Sequence, residues 1–540
     1  MIRSELSDWA RCGTEAPLDV LVIGGGATGL GVAVQAALEG RRVALVEARD
    51  FACGTSSRST KLLHGGVRYL AQGRVSLVRE ALRERAVVLG LAPHLAQALP
   101  FVVAETSRLS WAITWVGLKM YQWLAGRLSL GATESLGGAA LRRLLPHMPG
   151  AVAGVRYWDG QFDDARLALA LARTAEAAGA QLRNHTRVVG LSPAPDGWRV
   201  SLRDAISDEH TQVSARTVVN AAGVWVDALR QQALGRQRPS GQPVRPLVQA
   251  SQGVHLVVPR RLLPLTEAVL VPRTTDGRVL FAVPWLGATV IGTTDTPRSD
   301  APLEPRPMAE ELDFLFGETR RSLGVALEPA DVASVWVGLR PLVGAVGEGG
   351  GTAAISREHL IAREAPSFVT VTGGKWTTYR AMADDVMAAL VAAGDLPAAA
   401  QAAHTHTHRL WGAPNASHPP TSLRDAPGPH LLGSQAAVAA ALPGHDRALG
   451  LGLTEAIVRY AARHEWAVTV EDMLARRWRA LFVDARAAQA MAPRVAEILR
   501  EETGIDPQLP AFVALCQQYQ LDASASTSHA ESSPFSETPK

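Results

Sequence analysis

"LDVLVIGGGATGLGVAVQAALEGRRVALVEA", Leu18 to Ala48, is the stretch on which the fold turns. Its first part, "DVLVIG", is a short run of β-branched and apolar residues, as a buried strand requires. "ATGLGVAVQAALEG" changes to helical apolar spacing and reaches Gly40, a natural stop after a helix. "RVALVE" then reads as a second buried strand. Chain handedness makes the three elements a right-handed βαβ unit with parallel strands. Gly24, Gly26 and Gly29 form GxGxxG in the first turn, with Gly25, Ala27 and Thr28 between them. Gly24 permits the tight turn, Gly26 lets backbone approach a pyrophosphate, and Gly29 lets the helix lie close to the strand. Glu47 closes the second strand, where a carboxylate accepts hydrogen bonds from ribose hydroxyls. The acid disfavours a 2′-phosphate, so NADP fits least, and FAD and NAD both stay open.

Composition narrows the class. The chain has 540 residues, too many for one ordinary core, and two or three domains are expected. A hydrophobic fraction of 47% supplies sizeable cores. The net charge of +3, with no long Lys/Arg block, argues against nucleic acid as a partner. Cys12, Cys53 and Cys516 lie far apart and suit a reducing compartment. No apolar h-region opens the sequence and no run of 18 apolar residues occurs, so the expectation is a cytoplasmic enzyme, soluble or lying on a membrane.

Texture divides the chain into four parts. Residues 1–17 form a short extension. Residues 18–395 carry a nucleotide-binding subdomain interleaved with a mixed-sheet substrate subdomain, the latter mainly 96–150 and 226–336. "ARTVVNAAG" (Ala215 to Gly223) reads as another buried strand ending in a glycine turn, and the polar stretch between Ser192 and Thr211 as a hairpin loop. "GVHLVVP" and "GRVLFAVPWLGATVIGTTD" are strand-rich and turn-punctuated. Residues 396–520 are helical in pattern, and 521–540 are Ser-rich with the composition of a disordered tail. His404, His406 and His408 alternate as on an edge strand, with no acid or cysteine to complete a metal set.

The segment after Glu47 makes the reading specific. GGGxxG, the acid, then "TSSRSTKLLHGGVRYL", "GTTDTP", "VGLRPLV" and "TGGKWTTYRAMADD" together resemble the FAD-dependent, membrane-associated respiratory glycerol-3-phosphate dehydrogenases. "VRYAARHEWAVTVEDMLARR" resembles the C-terminal helical domain of that family, and the likeness runs from about Asp19 to about Asp506. The resemblance implies an α/β fold with a Rossmann-like, glutathione-reductase-type FAD domain, a mixed-sheet substrate domain and a helical C-terminal domain. It implies FAD as cofactor, held by Gly24, Gly25, Gly26, Ala27, Thr28, Gly29, Glu47, Thr55, Ser56, Ser59, Lys61, Leu62, Gly65, Gly223, Gly374, Lys375 and Thr377. It implies that Arg68, Tyr69, Arg340 and Lys375 line the substrate pocket, with Arg357 a further candidate for the phosphate end.

Chemistry supports that assignment of types. A phosphorylated substrate is a dianion, which arginines meet with bidentate, charge-assisted hydrogen bonds. Oxidising a secondary alcohol also needs a base for the hydroxyl proton, and His64 and His255 are the two imidazoles available. His255 is preferred, because strand alternation can turn it into the cleft. Arg340 and Lys375 complete the catalytic candidates. "GGKWTTYRAMADD" reads as a glycine turn opening a helix, with Thr377 and Thr378 as hydroxyl caps, aimed at the flavin.

"SWAITWVGLKMYQWLAGRLSL", Ser110 to Leu130, sets Trp111, Trp115, Tyr121 and Trp123 beside Lys119 and Arg127. Aromatic residues and cations of this kind favour an anionic lipid surface, with Trp111, Trp115 and Leu118 expected on the lipid-facing side. A membrane quinone is then the expected electron acceptor, glycerol 3-phosphate the expected donor, and a second copy of the chain stands among the expected partners. Two alternatives stay open: an oxidase that passes electrons to oxygen and makes hydrogen peroxide, and a non-catalytic FAD-binding scaffold.

Overall fold

The computed structural model describes Leu6, Trp9 and residues 17–71, 73–235, 244–344, 359–415 and 421–521. Two large sheets organise these residues. The first is eight-stranded and centres on Leu18–Ile23, which pairs in parallel with Val43–Val46 on one side and His210–Asn220 on the other. Gln181–Arg183 and Phe368–Gly373 extend it, both in parallel, and His359–Ala365 forms one edge. The strands Thr186–Ala194 and Gly197–Asp204 form a hairpin that joins His210–Asn220 antiparallel, so the stretch 192–211, expected as a loop, holds a whole strand and turns only at 195–196 and 205–209.

The glycine-rich turn does what its sequence dictates. Helix Ala27–Leu38 follows the first strand after Gly26 and ends with Gly40 at φ 77°. Its buried face is built of small residues, so helices Asp164–Ala177 and Tyr379–Ala392 pack closely upon it. A Cβ on Gly31 would stand 2.9 Å from the Tyr379 ring, which shows how close that approach is. The strands beneath are almost continuously buried, as parallel strands covered on both faces must be.

The second sheet has ten strands, and the long strands Val248–Pro259 and Ser334–Val343 pair antiparallel along most of their length. It reaches beyond the expected 96–150 and 226–336, because Ala153–Phe162 pairs along the whole of Ala96–Glu105, and Leu62–Leu63 pairs with Ala153–Phe162. Helix Val226–Leu234 belongs instead to the first sheet, whose core takes Leu229, Ala233 and Leu234.

The C-terminal unit is helical but interrupted. Glu455–His464, Ala480–Val483, Ala485–Thr503 and Leu509–Gln518 are α-helices, and Asp472–Arg477 is a π-helical turn. Its core merges with Val257, Trp285 and Trp336 of the second sheet. His404, His406 and His408 are not on a strand: the chain turns there, with the Thr407 and His408 N–H groups donating to the His404 carbonyl. The turn supplies those hydrogen bonds locally, so alternation in sequence is not alternation across a sheet. Among the described residues no helix is long and apolar enough to cross a membrane.

Candidate functional site

A cavity of about 460 Å³ opens at the carboxyl ends of the first sheet's parallel strands. Gly24, Gly26, Ala27 and Thr28 line one wall and Glu47 the next. Gly24 has φ 115°, and a Cβ there would stand 2.8 Å from the Ala221 backbone carbon, so the turn demands glycine. The Ala27 N–H donates to Ser56 Oγ at 2.9 Å, which ties the helix start to the hydroxyl-rich loop. Glu47 is oriented by two backbone donors, Gly25 N–H at 2.7 Å and Arg49 N–H at 2.9 Å. Burial raises its pKa, which those two hydrogen bonds oppose. Oε1 also accepts from the Cys53 thiol at 3.9 Å, and Oε2 keeps a second lone pair for a hydroxyl.

Thr55 and Ser56 form the roof, and Gly223, Gly374 and Lys375 close the far side. Thr55 Oγ1 donates to the Leu339 carbonyl at 2.6 Å, so the roof is fastened to the strand that bears Arg340. Further wall residues were not singled out by the sequence: Cys53, Thr186, Trp225, Gln232, and Trp376, the last inside the quoted motif that contains Gly374. They come from four separate parts of the chain, and only the folded sheet assembles them.

The other expected cofactor residues do not line this cavity. Gly29 packs against the Gly24 backbone and Gly25 serves Glu47 through its N–H. Ser59 donates to Asp164 at 2.7 Å, and the Lys61 ammonium, fully buried, donates to Asp164 at 2.7 Å and to the Ser57 carbonyl at 2.8 Å. Leu62 sits in the short strand beside Ala153–Phe162, Gly65 N–H donates to the Tyr121 hydroxyl at 2.9 Å, and Thr377 is buried. Thr377 and Thr378 do not cap helix Tyr379–Ala392 through their hydroxyls: Thr378 Oγ1 donates back to the Lys375 carbonyl at 3.3 Å.

A second cluster lies on the Val248–Pro259 and Ser334–Val343 strands. Ser251 faces Arg340 and His255 faces Trp336 in register. Gly253 stands between them, where a Cβ would meet the Thr293 hydroxyl at 2.6 Å and the Arg340 guanidinium closer still. Its missing side chain is what makes room for Arg340. The Arg340 guanidinium donates to Thr293 Oγ1 at 3.0 Å and lies 3.4 Å from Asp295. His255 is 2% exposed, stacks on Trp336 at 4.0 Å, and has Nε2 2.9 Å from the Thr60 hydroxyl. Its Nδ1 is buried with no hydrogen-bond partner among the described residues. Burial, with Lys61 and then Arg340 nearby, holds its pKa well below 6.5.

Lys375 and Tyr69 come together from opposite ends of the sequence, the ammonium 4.0 Å from the ring centre. His64 follows the strand Leu62–Leu63 and immediately precedes the Gly65–Tyr121 hydrogen bond. Arg68 is on the short helix Val67–Ala71, but its side chain lies outside the described residues, as does all of Arg357.

Comparison with known proteins decides the family. The model of the FAD-dependent oxidoreductases matches residues 19–390, and that of the C-terminal domain of alpha-glycerophosphate oxidase matches 435–509. The chain is 37% identical over 530 residues to a mitochondrial glycerol-3-phosphate dehydrogenase of Arabidopsis thaliana, covering 90% of this chain and 83% of the relative. It is 39% identical over 540 residues to glycerol-3-phosphate dehydrogenase 2 of Mycobacterium bovis, covering 94% and 89%. The chain belongs to the FAD-dependent glycerol-3-phosphate dehydrogenase family. A solved glycerol-3-phosphate dehydrogenase from Bacillus halodurans, complexed with FAD, superposes with a TM-score of 0.70 at 27% identity, covering 95% of this chain and 96% of that one. An oxidase from Mycoplasma pneumoniae shares the fold at TM-score 0.54 and 20% identity, over 69% of this chain and 94% of that one. Membership makes the chain an FAD-dependent oxidoreductase, and the glycine turn, Glu47 and the Ser56-tied helix start fit that cofactor's adenosine diphosphate half.

Proposed function

We propose that the protein oxidises sn-glycerol 3-phosphate to dihydroxyacetone phosphate at the face formed by Arg340, His255, Tyr69 and Lys375, and delivers the electrons to a membrane quinone. The observation that carries the reading is the buried His255 with its Nδ1 unpartnered among the described residues, beside Arg340, whose own strand reaches the FAD cavity through Pro341. FAD, when bound, supplies the hydride acceptor for C2 of the substrate. The Gly24–Thr28 turn would hold the pyrophosphate of the cofactor, and Glu47 its adenosine ribose.

Arg340 meets the substrate's negative charge, and Gly253 leaves it the space to do so. Lys375, poised over Tyr69, adds a second cation. In the tautomer whose Nε2–H donates to the Thr60 hydroxyl, His255 Nδ1 carries the lone pair that accepts the C2 hydroxyl proton. A pKa well below 6.5 keeps that imidazole neutral at pH 7, the state a base needs.

The membrane reading rests on helix Arg108–Ala125, with its lipid-facing side corrected. Leu118, Tyr121 and Ala125 are buried against the second sheet, and the Trp111 indole donates to the Gly154 carbonyl at 3.3 Å. The exposed side is Leu109, Ile113, Val116, Met120 and Trp123, the last 76% exposed. Five large apolar residues at helical spacing form a continuous stripe, with Arg108 and Arg127 at its ends. Such a stripe lies in a lipid interface without spanning it.

Anaerobic addition of glycerol 3-phosphate to the yellow holoenzyme should bleach the flavin band, and glycerol should bleach it far more slowly. Equal rates with the two alcohols would remove the phosphate reading. Reoxidation by a quinone analogue should outpace reoxidation by oxygen. Stoichiometric hydrogen peroxide, with no response to quinone, would make the protein an oxidase instead.

A further inference from the structure

Arg476, Arg477 and Arg479 leave the C-terminal unit together and end inside the cofactor-binding unit. Arg476 and Arg477 both ion-pair with Asp50, which also accepts from Asn184 Nδ2 at 3.0 Å. Asp50 stands within the segment whose Glu47, Ala48, Arg49, Ala52 and Cys53 line the cavity. Arg479 reaches the other wall: its Nη2 donates to the Ser57 carbonyl at 2.6 Å and to Asp164 Oδ1 at 3.3 Å. Asp164 Oδ2 in turn accepts from the Ser59 N–H, the Ser59 hydroxyl and Lys61 Nζ. The loop so held contributes Thr55 and Ser56 to the cavity and Thr60 to His255.

The arginines are built for this contact. Arg479 is fully buried, with its guanidinium 4.1 Å from the Phe482 ring centre. Its backbone is left-handed, φ 62°, a conformation a long side chain adopts only where its surroundings hold it. A guanidinium is fully charged and forked, so one side chain serves a carbonyl and a carboxylate at once.

We propose that Arg479 is a positioning residue for the cofactor, and that the C-terminal unit sets FAD retention by clamping both loops of the cavity wall. The inference rests on the placement of FAD in this cavity. A charged hydrogen bond removed from a dry site changes an equilibrium by roughly tenfold or more, and loosening Ser57 frees Ser56, which holds the helix start. Binding linkage then ties retention of FAD to docking of the C-terminal unit.

The test is the rate of FAD release from the holoenzyme, read from the rise of flavin fluorescence on dilution, together with the fine structure of the visible flavin band. Arg479→Met should release FAD at least tenfold faster and blur that band. Arg479→Lys keeps a cation that reaches one acceptor, and should fall between the two. Arg459→Met removes ion pairs to Glu501 and Glu502 that stay inside the C-terminal unit, and should release FAD within twofold of wild type. Release within twofold of wild type from Arg479→Met overturns the proposal; if that variant does not fold, the same result from Arg479→Lys overturns it. Equal acceleration by Arg459→Met also overturns it, since general loosening of the unit would then suffice. Gly26→Val separates the two readings. Wild-type retention in Gly26→Val defeats the cavity assignment and the clamp together, whereas loss of FAD there with full retention in Arg479→Met defeats the clamp alone.

Discussion

At His255 burial outweighs every other influence on the ring, and the positive Lys61 and Arg340 act in the same direction. The neutral form therefore persists below pH 6.5, and the sign of the consequence is fixed. A base works when unprotonated, so the acid limb of kcat/KM should fall at a pH below 6.5. An acid limb at 6.5 or above that survives His255→Asn would move the role to His64. Arg340→Met should raise KM for glycerol 3-phosphate by roughly ten- to a hundredfold, the loss of one charge-assisted hydrogen bond of about 1.5–3 kcal/mol. An unchanged KM in steady-state assays would remove Arg340 from the substrate site. Sequence made the glycine turn and Glu47 legible because their spacing is local and their backbone demands are narrow. Thr60 as the partner of His255, and Gly253 as the space for Arg340, were not legible, because Thr60 reaches His255 from a loop 195 residues away and Gly253 meets Arg340 only across strands.

Helix Arg108–Ala125 shows where element-level reading stops. Its periodicity announces an amphipathic helix, yet two faces are apolar, one through Trp111, Trp115 and Leu118 and the other through Leu109, Ile113, Val116, Met120 and Trp123. Periodicity alone does not say which face the sheet takes. The sheet takes the first, because Tyr121 on that side donates to the buried Asp159 at 2.8 Å and accepts from Gly65 N–H. The exposed stripe then carries the prediction. Ile113→Glu with Trp123→Glu should abolish flotation with anionic vesicles and lower quinone reduction, while turnover with a water-soluble dye persists, since neither residue lies on the cavity wall. Undiminished vesicle binding by the double variant would show that the stripe is not the lipid contact.

Across the whole molecule the three units share their charges, and that arrangement was beyond the reach of the sequence. The parallel sheet was legible from its buried runs, and the helical C-terminal unit from its spacing. The contact between them was not, because buried arginines in "ARRWR" read like the solvated face of a helix until Asp50, Asp472 and Asp164 are placed around them. Asp472 is the member whose titration can be followed. Burial raises its pKa, but the charge and hydrogen bond of His185, then Arg477 and Arg476, overcome this and hold it well below 3.8. Its Oδ2 lies 3.0 Å from His185 Nε2 and accepts the Val468 and Thr469 N–H groups. A carboxyl depressed on folding binds fewer protons in the native state than in the unfolded one. Its stabilisation is therefore complete above the unfolded value, near 3.8, and is lost as pH falls through the native value. Asp472→Asn should accordingly cost about 3–5 kcal/mol at pH 6, the usual loss when one partner leaves a buried ion pair. In urea titrations the gap between variant and wild type should hold down to about pH 4 and narrow below it, as the wild-type carboxyl takes up its proton. A gap that stays constant down to pH 3 would assign the loss to packing alone and remove Asp472 from the charge network that joins the C-terminal unit to the cofactor-binding sheet.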